Sequence, residues 1–354
     1  MANSAWDSWG KPAKPLARIA LRFGGTAEHE ALSNISAGTR IGSTLFVAAD
    51  EHCGVDRLTL DGSDWAGHAT FELSDLLPLK TPEAEADLEG LAADEGWLWA
   101  VGSHARTRRK PEKEDGETID LDRLANLKDT RPRCLLARMP LIETPQGWQP
   151  VARDGSRRAG MLKQTDLGNS LMKALKADPL IAPFTRIPAK EGGVDVEGIA
   201  VCGNRVALGM RGPVISNHAV LLEMFVTAKK SGRLHLEAAP FKRLLAMEGL
   251  GIRDLKRDGA DLLILAGPTT SLSGPVALYR WRDWANEPPQ DETKVRVHRP
   301  ERILDLPFGR GVDHPEGLAL WGDGQILVIC DSPAPDRLDP ASGTIGADLF
   351  ELPA

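Results

Sequence analysis

Three glutamates stand directly before a glycine and an apolar strand-like run: Glu89 in DLEGLAADEGWLWAVGS, Glu197 in DVEGIAVCGNRVALGMR and Glu316 in HPEGLALWGDGQILVICDS. With Asp50 and Asp331 they form an oxygen-rich set suited to a hard divalent cation, Ca²⁺, Mg²⁺ or Mn²⁺, because carboxylates outnumber imidazoles. Arg211 and Arg253 supply guanidinium groups that can grip a carboxylate or phosphate through two parallel hydrogen bonds. His104 is a candidate general acid or base. Together these residues outline a metal-assisted hydrolase: the cation activates water, the arginines hold a small anionic ester or phosphoester, and the histidine moves the proton.

The same residues also support a structural reading. A glutamate that opens a strand can accept hydrogen bonds from backbone N–H groups of its neighbour, Arg211 can pair with Glu197, and Arg253 can balance an acidic ring. Gly90, Gly198 and Gly317 then supply room or a positive φ. On this reading the protein is a noncatalytic platform for a small anionic ligand or a protein partner.

What positions these groups is an internal repeat. Two further segments align more loosely, ALSNISAGTRIGSTLFVAADE with Ser33 at the glutamate position and GIRDLKRDGADLLILAGPT with Arg253 there. The five positions are separated by 56, 108, 56 and 63 residues. Such periods, with paired short strands and glycine-rich turns, fit one four-stranded blade per repeat of a β-propeller. The expectation is an all-β chain, one closed propeller domain over 1–354, with five blades, or six if the long interval hides another. The last repeat supplies only three strands, so the N-terminal strand at Arg18–Phe23 is expected to complete the C-terminal blade and remove an open edge.

The long interval holds strand-like Cys134–Leu141 and Trp148–Arg153, which would finish the blade begun at Glu89. The remainder is read as short helical and loop insertions over 104–133 and 154–192. RTRRKPEKEDGE is a surface loop by its charge, and TDLGNSLMKALKADPL is a helix with Leu167, Leu171 and Leu175 on one face and Asp166 as its cap. Ile119–Asp129 is a shorter helix candidate. In a propeller the residues before the first strand and after the second of each blade converge on one rim, which gathers the candidate groups around a channel mouth.

Composition narrows the class. A net charge of −7 over 354 residues argues against nucleic-acid binding, which needs a basic face. The four cysteines are scattered without a C-x-x-C, so neither a zinc knuckle nor a redox pair is suggested. No signal-like N-terminus or span-length apolar run is present, and the expectation is a cytoplasmic protein without a membrane partner. G-x-G-x-x-G, P-loop, H-E-x-x-H and G-x-S-x-G are absent, so no nucleotide or organic cofactor is indicated.

The E-G-[LI]-A blade starts, with GSHAR at Gly102–Arg106, MRGPV at Met210–Val214, GLGIRDL at Gly249–Leu255 and DSP at Asp331–Pro333, resemble a bacterial family of uncharacterised β-propeller domains related to phytase-like and esterase-like propellers. The resemblance covers nearly the whole chain and implies the fold. The clustered aspartates of calcium-dependent propeller phytases have no position-by-position match here, so phytase activity is not implied.

Overall fold

The computed structural model describes residues 9–25, 32–49, 52–62, 64–81, 84–109, 120–128, 130–166, 168–290 and 294–354. Its inner strands are apolar on both faces, as Asp261–Gly267 illustrates. Leu262, Ile264 and Ala266 join one buried cluster, whereas Leu263 and Leu265 join another. Side chains alternate along a strand, so a sheet sandwiched between two neighbours needs a continuous apolar run.

The strands pair into sheets of nine, six, five and four strands and a two-stranded ribbon, the nine-stranded sheet being two antiparallel runs joined by a parallel contact of Leu21 with Trp65. The antiparallel runs, numbered in chain order, are the modules. The first contains Ile35–Ile41, Thr44–Ala49, Gly54–Asp61 and Asp64–Glu72, in that order. The second contains Leu88–Asp94, Trp97–Gly102 and Leu136–Thr144, with its fourth place shared by Gly147–Pro150 and Gly160–Met161. The third contains Asp195–Cys202, Arg205–Ile215, His218–Ala228 and Phe241–Leu245. The fourth contains Gly251–Asp258, Asp261–Gly267, Val276–Trp281 and Glu301–Leu306. His314–Gly322, Gln325–Asp331 and Thr344–Glu351 begin the fifth, and the N-terminal strand Ala17–Arg22 completes it.

That last pairing runs antiparallel from Ala17 opposite Leu349 to Arg22 opposite Thr344, as the sequence led us to expect. The first strands of the modules touch in order, and the fifth returns to the first. One apolar cluster fills each of the five interfaces between modules, so the core is itself a ring. The chain is thus an all-β, propeller-like closed ring.

A β-bulge recurs near the start of every first strand. The residue it leaves out of register is Ser36, Glu89, Glu197, Arg253 or Glu316. The repeat therefore aligns on Ser36 and not on Ser33. Bulges re-aim a side chain away from the pleat, and here they turn one residue per module to the same rim.

None of Gly90, Gly198 and Gly317 has a positive φ, and at Gly90 and Gly198 the glycine serves close approach. A Cβ on Gly198 would lie 2.8 Å from the Leu255 nitrogen, and one on Gly90 3.1 Å from the Ile199 nitrogen. These two glycines let their strands lie against the first strand of the next module, while Gly317 leaves ordinary contact distances.

In the fourth module Asp254 occupies the glycine position. Lys256 Nζ donates to both its carboxylate oxygens at 2.7 Å and to Leu91 O at 3.2 Å, while Asp254 Oδ2 accepts from Leu318 N at 2.8 Å. The second and fourth modules are not neighbours in the ring, so this buried pair spans its axis.

The insertion helix runs Ser170–Ala177, and its cap is Asn169, whose Oδ1 accepts from Met172 N at 2.9 Å. Asp166 is therefore not the cap. Leu171 and Leu175 are buried, and Leu167 lies outside the described residues. The shorter helix spans only Leu121–Ala125 behind an Asp120 cap, and residues 110–117 of the charged tract also lie outside the described residues. Among the described residues no helix is long and apolar enough to cross a membrane.

Candidate functional site

Three of the bulge residues, Glu197, Arg253 and Glu316, meet in a buried ion-pair chain. Arg253 Nε lies 3.0 Å from Glu197 Oε2, and its Nη2 pairs with Glu316. Arg211 follows the same logic from the second strand of the third module: Nη1 lies 2.7 Å from Glu197 Oε1 and Nη2 pairs with Asp195. One carboxylate, Glu197, thus takes both guanidinium groups. The sequence-level pairing of Arg211 with Glu197 and the balancing role of Arg253 are both present.

Burial works against the Arg211 charge, yet the carboxylates of Asp195, Glu197 and Glu89 hold its guanidinium well above the ordinary value. Arg253 falls below its ordinary value through burial, against the pull of Glu197. Burial likewise raises the carboxyl groups of Asp195 and Glu197, against Arg211. The acids outnumber the arginines, which favours the protonated forms of the buried carboxyl groups.

Above this chain opens a cavity of about 190 Å³, whose lining includes Lys190, Arg211, Arg253, His314, Asp331 and Ser332. Glu316 also lines it. His314 and Asp331 are a cross-strand pair in the fifth module and so project on one face. Burial raises the Asp331 carboxyl, against Arg253, and lowers the His314 imidazole, against Asp331.

His104 is not part of this cavity. It sits at φ 54°, buried, with Nδ1 donating to Gly102 O at 2.8 Å and Nε2 accepting from Asn169 Nδ2 at 3.0 Å. Asn169 Nδ2 also donates to Cys134 O at 2.9 Å. Burial pushes the imidazole down to about 4, against the Gly102 carbonyl. Both ring nitrogens are engaged, and the neutral ring ties the insertion helix to the second module.

Of the expected metal ligands, Glu197 and Glu316 carry arginines, Asp331 lines the cavity, and Asp50 lies outside the described residues. Glu89 stands near enough to both arginines to favour their charged forms. Among the described residues no group of three or more His, Cys, Asp or Glu side chains is arranged to hold a metal ion. The compensating cations at the ring are guanidinium groups.

A family profile matches residues 34–348 and is described as a protein of unknown function, DUF3616. The chain belongs to the DUF3616 family. The match spans all five bulges of this DUF3616 chain. No curated protein matches it in sequence. Similar solved structures include glutaminyl cyclase from Myxococcus xanthus, with a TM-score of 0.40 and 10% identity over 96% of this chain and 100% of that chain. An exo-1,5-α-L-arabinanase from a bovine ruminal metagenomic library gives 0.39 and 11% over 92% and 95% of the two chains. Regucalcin from Agrobacterium tumefaciens, described as a calcium-binding protein, gives 0.38 and 11% over 94% and 93%. Similarity at this level transfers neither site nor activity to the DUF3616 chain.

Sequence reasoning missed His314, Lys190 and Ser332. His314 had a signal: the repeat reads D-x-E-G at Asp87 and Asp195 and H-x-E-G at His314, so the histidine is the departure from the pattern. Lys190 comes from a short 3₁₀ turn, Ala189–Glu191, inside an insertion that repeats nowhere.

Proposed function

We propose that the chain is a five-bladed β-propeller that binds a small anionic ligand, a carboxylate or a phosphate ester, in the mouth cavity. Five modules with one shared bulge position support the blade count. One observation carries the ligand class: the cavity is rich in donors. Lys190, Arg211, Arg253 and Ser332 present N–H or O–H groups, and burial drives the Asp331 carboxyl toward its protonated, donating form.

The His314–Asp331 pair favours a further reading, hydrolysis of the bound ester. Environments that push an acid up and a base down assign the two roles. His314 takes a proton from water as its oxygen attacks the ester carbon or phosphorus. Asp331 gives its proton to the leaving alkoxide, and exchange with solvent restores both groups. No step passes through a metal.

Nitrophenyl acetate and nitrophenyl phosphate, offered to wild type, Arg211→Ala and His314→Ala, test both parts. Binding without turnover, lost in Arg211→Ala and kept in His314→Ala, supports the platform alone. Turnover lost in His314→Ala with binding retained supports the hydrolase. Equal binding by wild type and Arg211→Ala overturns the assignment of the mouth.

A further inference from the structure

Six large apolar side chains are exposed among the described residues, and two of them, Leu272 and Phe308, line the mouth cavity. Leu272 is 76% exposed and Phe308 37%, and among the described residues neither joins any of the five apolar clusters. A single exposed leucine is ordinary on a protein surface; two large apolar side chains brought to one charged cavity call for a partner. They come from different loops. Leu272 stands between Asp261–Gly267 and Val276–Trp281 of the fourth module, and Phe308 stands between Glu301–Leu306 and the first strand of the fifth. Gly311 N donates to Ser273 Oγ at 3.0 Å, which ties the two loops together, and Leu272 N donates to Thr270 Oγ1 at 3.3 Å.

Both loops are anchored beside the charged groups of the mouth. A Cβ on Gly267, where the first loop begins, would lie 3.2 Å from Arg253 Cγ. The second loop ends at His314, where Asp313 N donates to Ser332 O at 2.8 Å. Pro268, Val276 and Pro315 add to the apolar lining. The cavity thus offers guanidinium groups and hydrocarbon to the same occupant.

We infer that the anion held in the mouth carries a hydrocarbon group and that Leu272 and Phe308 cover it, an inference that rests on the anionic-ligand reading above. An anion alone would meet the charged groups and leave both apolar side chains in water. A hydrocarbon group laid against them takes apolar surface out of water on both partners. Binding pockets combine an apolar wall with a few polar groups that fix orientation, and the mouth has both. The ligand class is therefore an alkyl or aryl phosphate or carboxylate, not a bare inorganic anion.

Two pairs of probes, methyl with hexyl phosphate and acetate with hexanoate, are titrated calorimetrically into the full chain. In at least one pair wild type binds the six-carbon member at least roughly tenfold tighter than its short partner, since each methylene taken fully out of water is worth about fourfold in affinity. Leu272→Ser/Phe308→Ser brings that ratio close to one; far-UV circular dichroism and urea midpoints confirm that the variant folds. Leu121→Ser, at an exposed leucine of the short insertion helix, keeps the wild-type ratio. Equal affinity within both pairs, a ratio that survives Leu272→Ser/Phe308→Ser, or one that falls as far in Leu121→Ser overturns the inference and leaves the anionic mouth standing. No binding of any probe overturns it together with the reading on which it rests.

Discussion

Arg253 Nε rests 3.0 Å from Oε2 of Glu197, joining the bulge residue of the fourth module to that of the third. Their side chains are 8% and 4% exposed, so removing one partner strands a charge out of water. Arg253→Ala is expected to cost about 3–5 kcal/mol in urea unfolding. In that variant Glu197 and Glu316 lose a shared cation, and added Ca²⁺ should raise the melting temperature. Wild type, already compensated, should not respond; a Ca²⁺ response of equal size in both proteins would show that guanidinium groups are not the ring's counterions.

The glycines after the bulges differ in clearance. A Cβ on Gly198 meets backbone at 2.8 Å, whereas one on Gly317 meets nothing nearer than 3.4 Å. Gly198→Ala should cost about 1–3 kcal/mol as overpacking, and Gly317→Ala much less. Paired urea midpoints decide it, and equal costs would refute close approach as the reason for the glycine.

Acid should weaken the fold through His104. Its folded value is about 4, below the ordinary 6.5, so the unfolded chain binds more protons in between. The stability it contributes is complete above pH 6.5 and drains as pH falls to 4, by about 3 kcal/mol in all. Burial raises Asp87 and Asp254 to about 6, and they act in the opposite sense, losing stability as pH rises through that value. They are common to wild type and His104→Asn, so the difference between the two proteins isolates His104. Asparagine tolerates the positive φ at this position. Equal slopes between pH 4 and 6.5 would refute the assignment.

The closing strand can be tested at Leu21, which is fully buried opposite Ile345. Leu21→Ala should cost about 2–5 kcal/mol. Leu21→Asp should detach the strand, bare the edge of Thr344–Glu351 and give concentration-dependent association by light scattering. A monodisperse Leu21→Asp protein with wild-type stability would show that the ring holds without its closing strand.

The ring was legible because repetition is written into residue order. Glu89, Glu197 and Glu316 announce the first strands, and two-sided apolar runs such as LLILAG announce sheets packed on both faces. The slip from Ser36 to Ser33 arose where the first module carries serine and alanine in place of glutamate and glycine. The candidate site was half legible. Arg211 and Arg253 sit at positions the repeat defines, so their meeting with Glu197 follows from register. His104 also follows a second strand, but an insertion helix supplies Asn169 from 65 residues away and takes the imidazole out of the mouth. Contacts set by an unrepeated insertion have no periodic trace.

The Lys256–Asp254 pair lies across the axis, between the mouth and a smaller cavity on the far side lined by Thr39, Lys256 and Leu320. The ring is consequently a cup and not a pipe. On the proposed reading, a ligand taken up beside Arg253 leaves by the door it entered, so the time the mouth stays occupied is set by release through that opening.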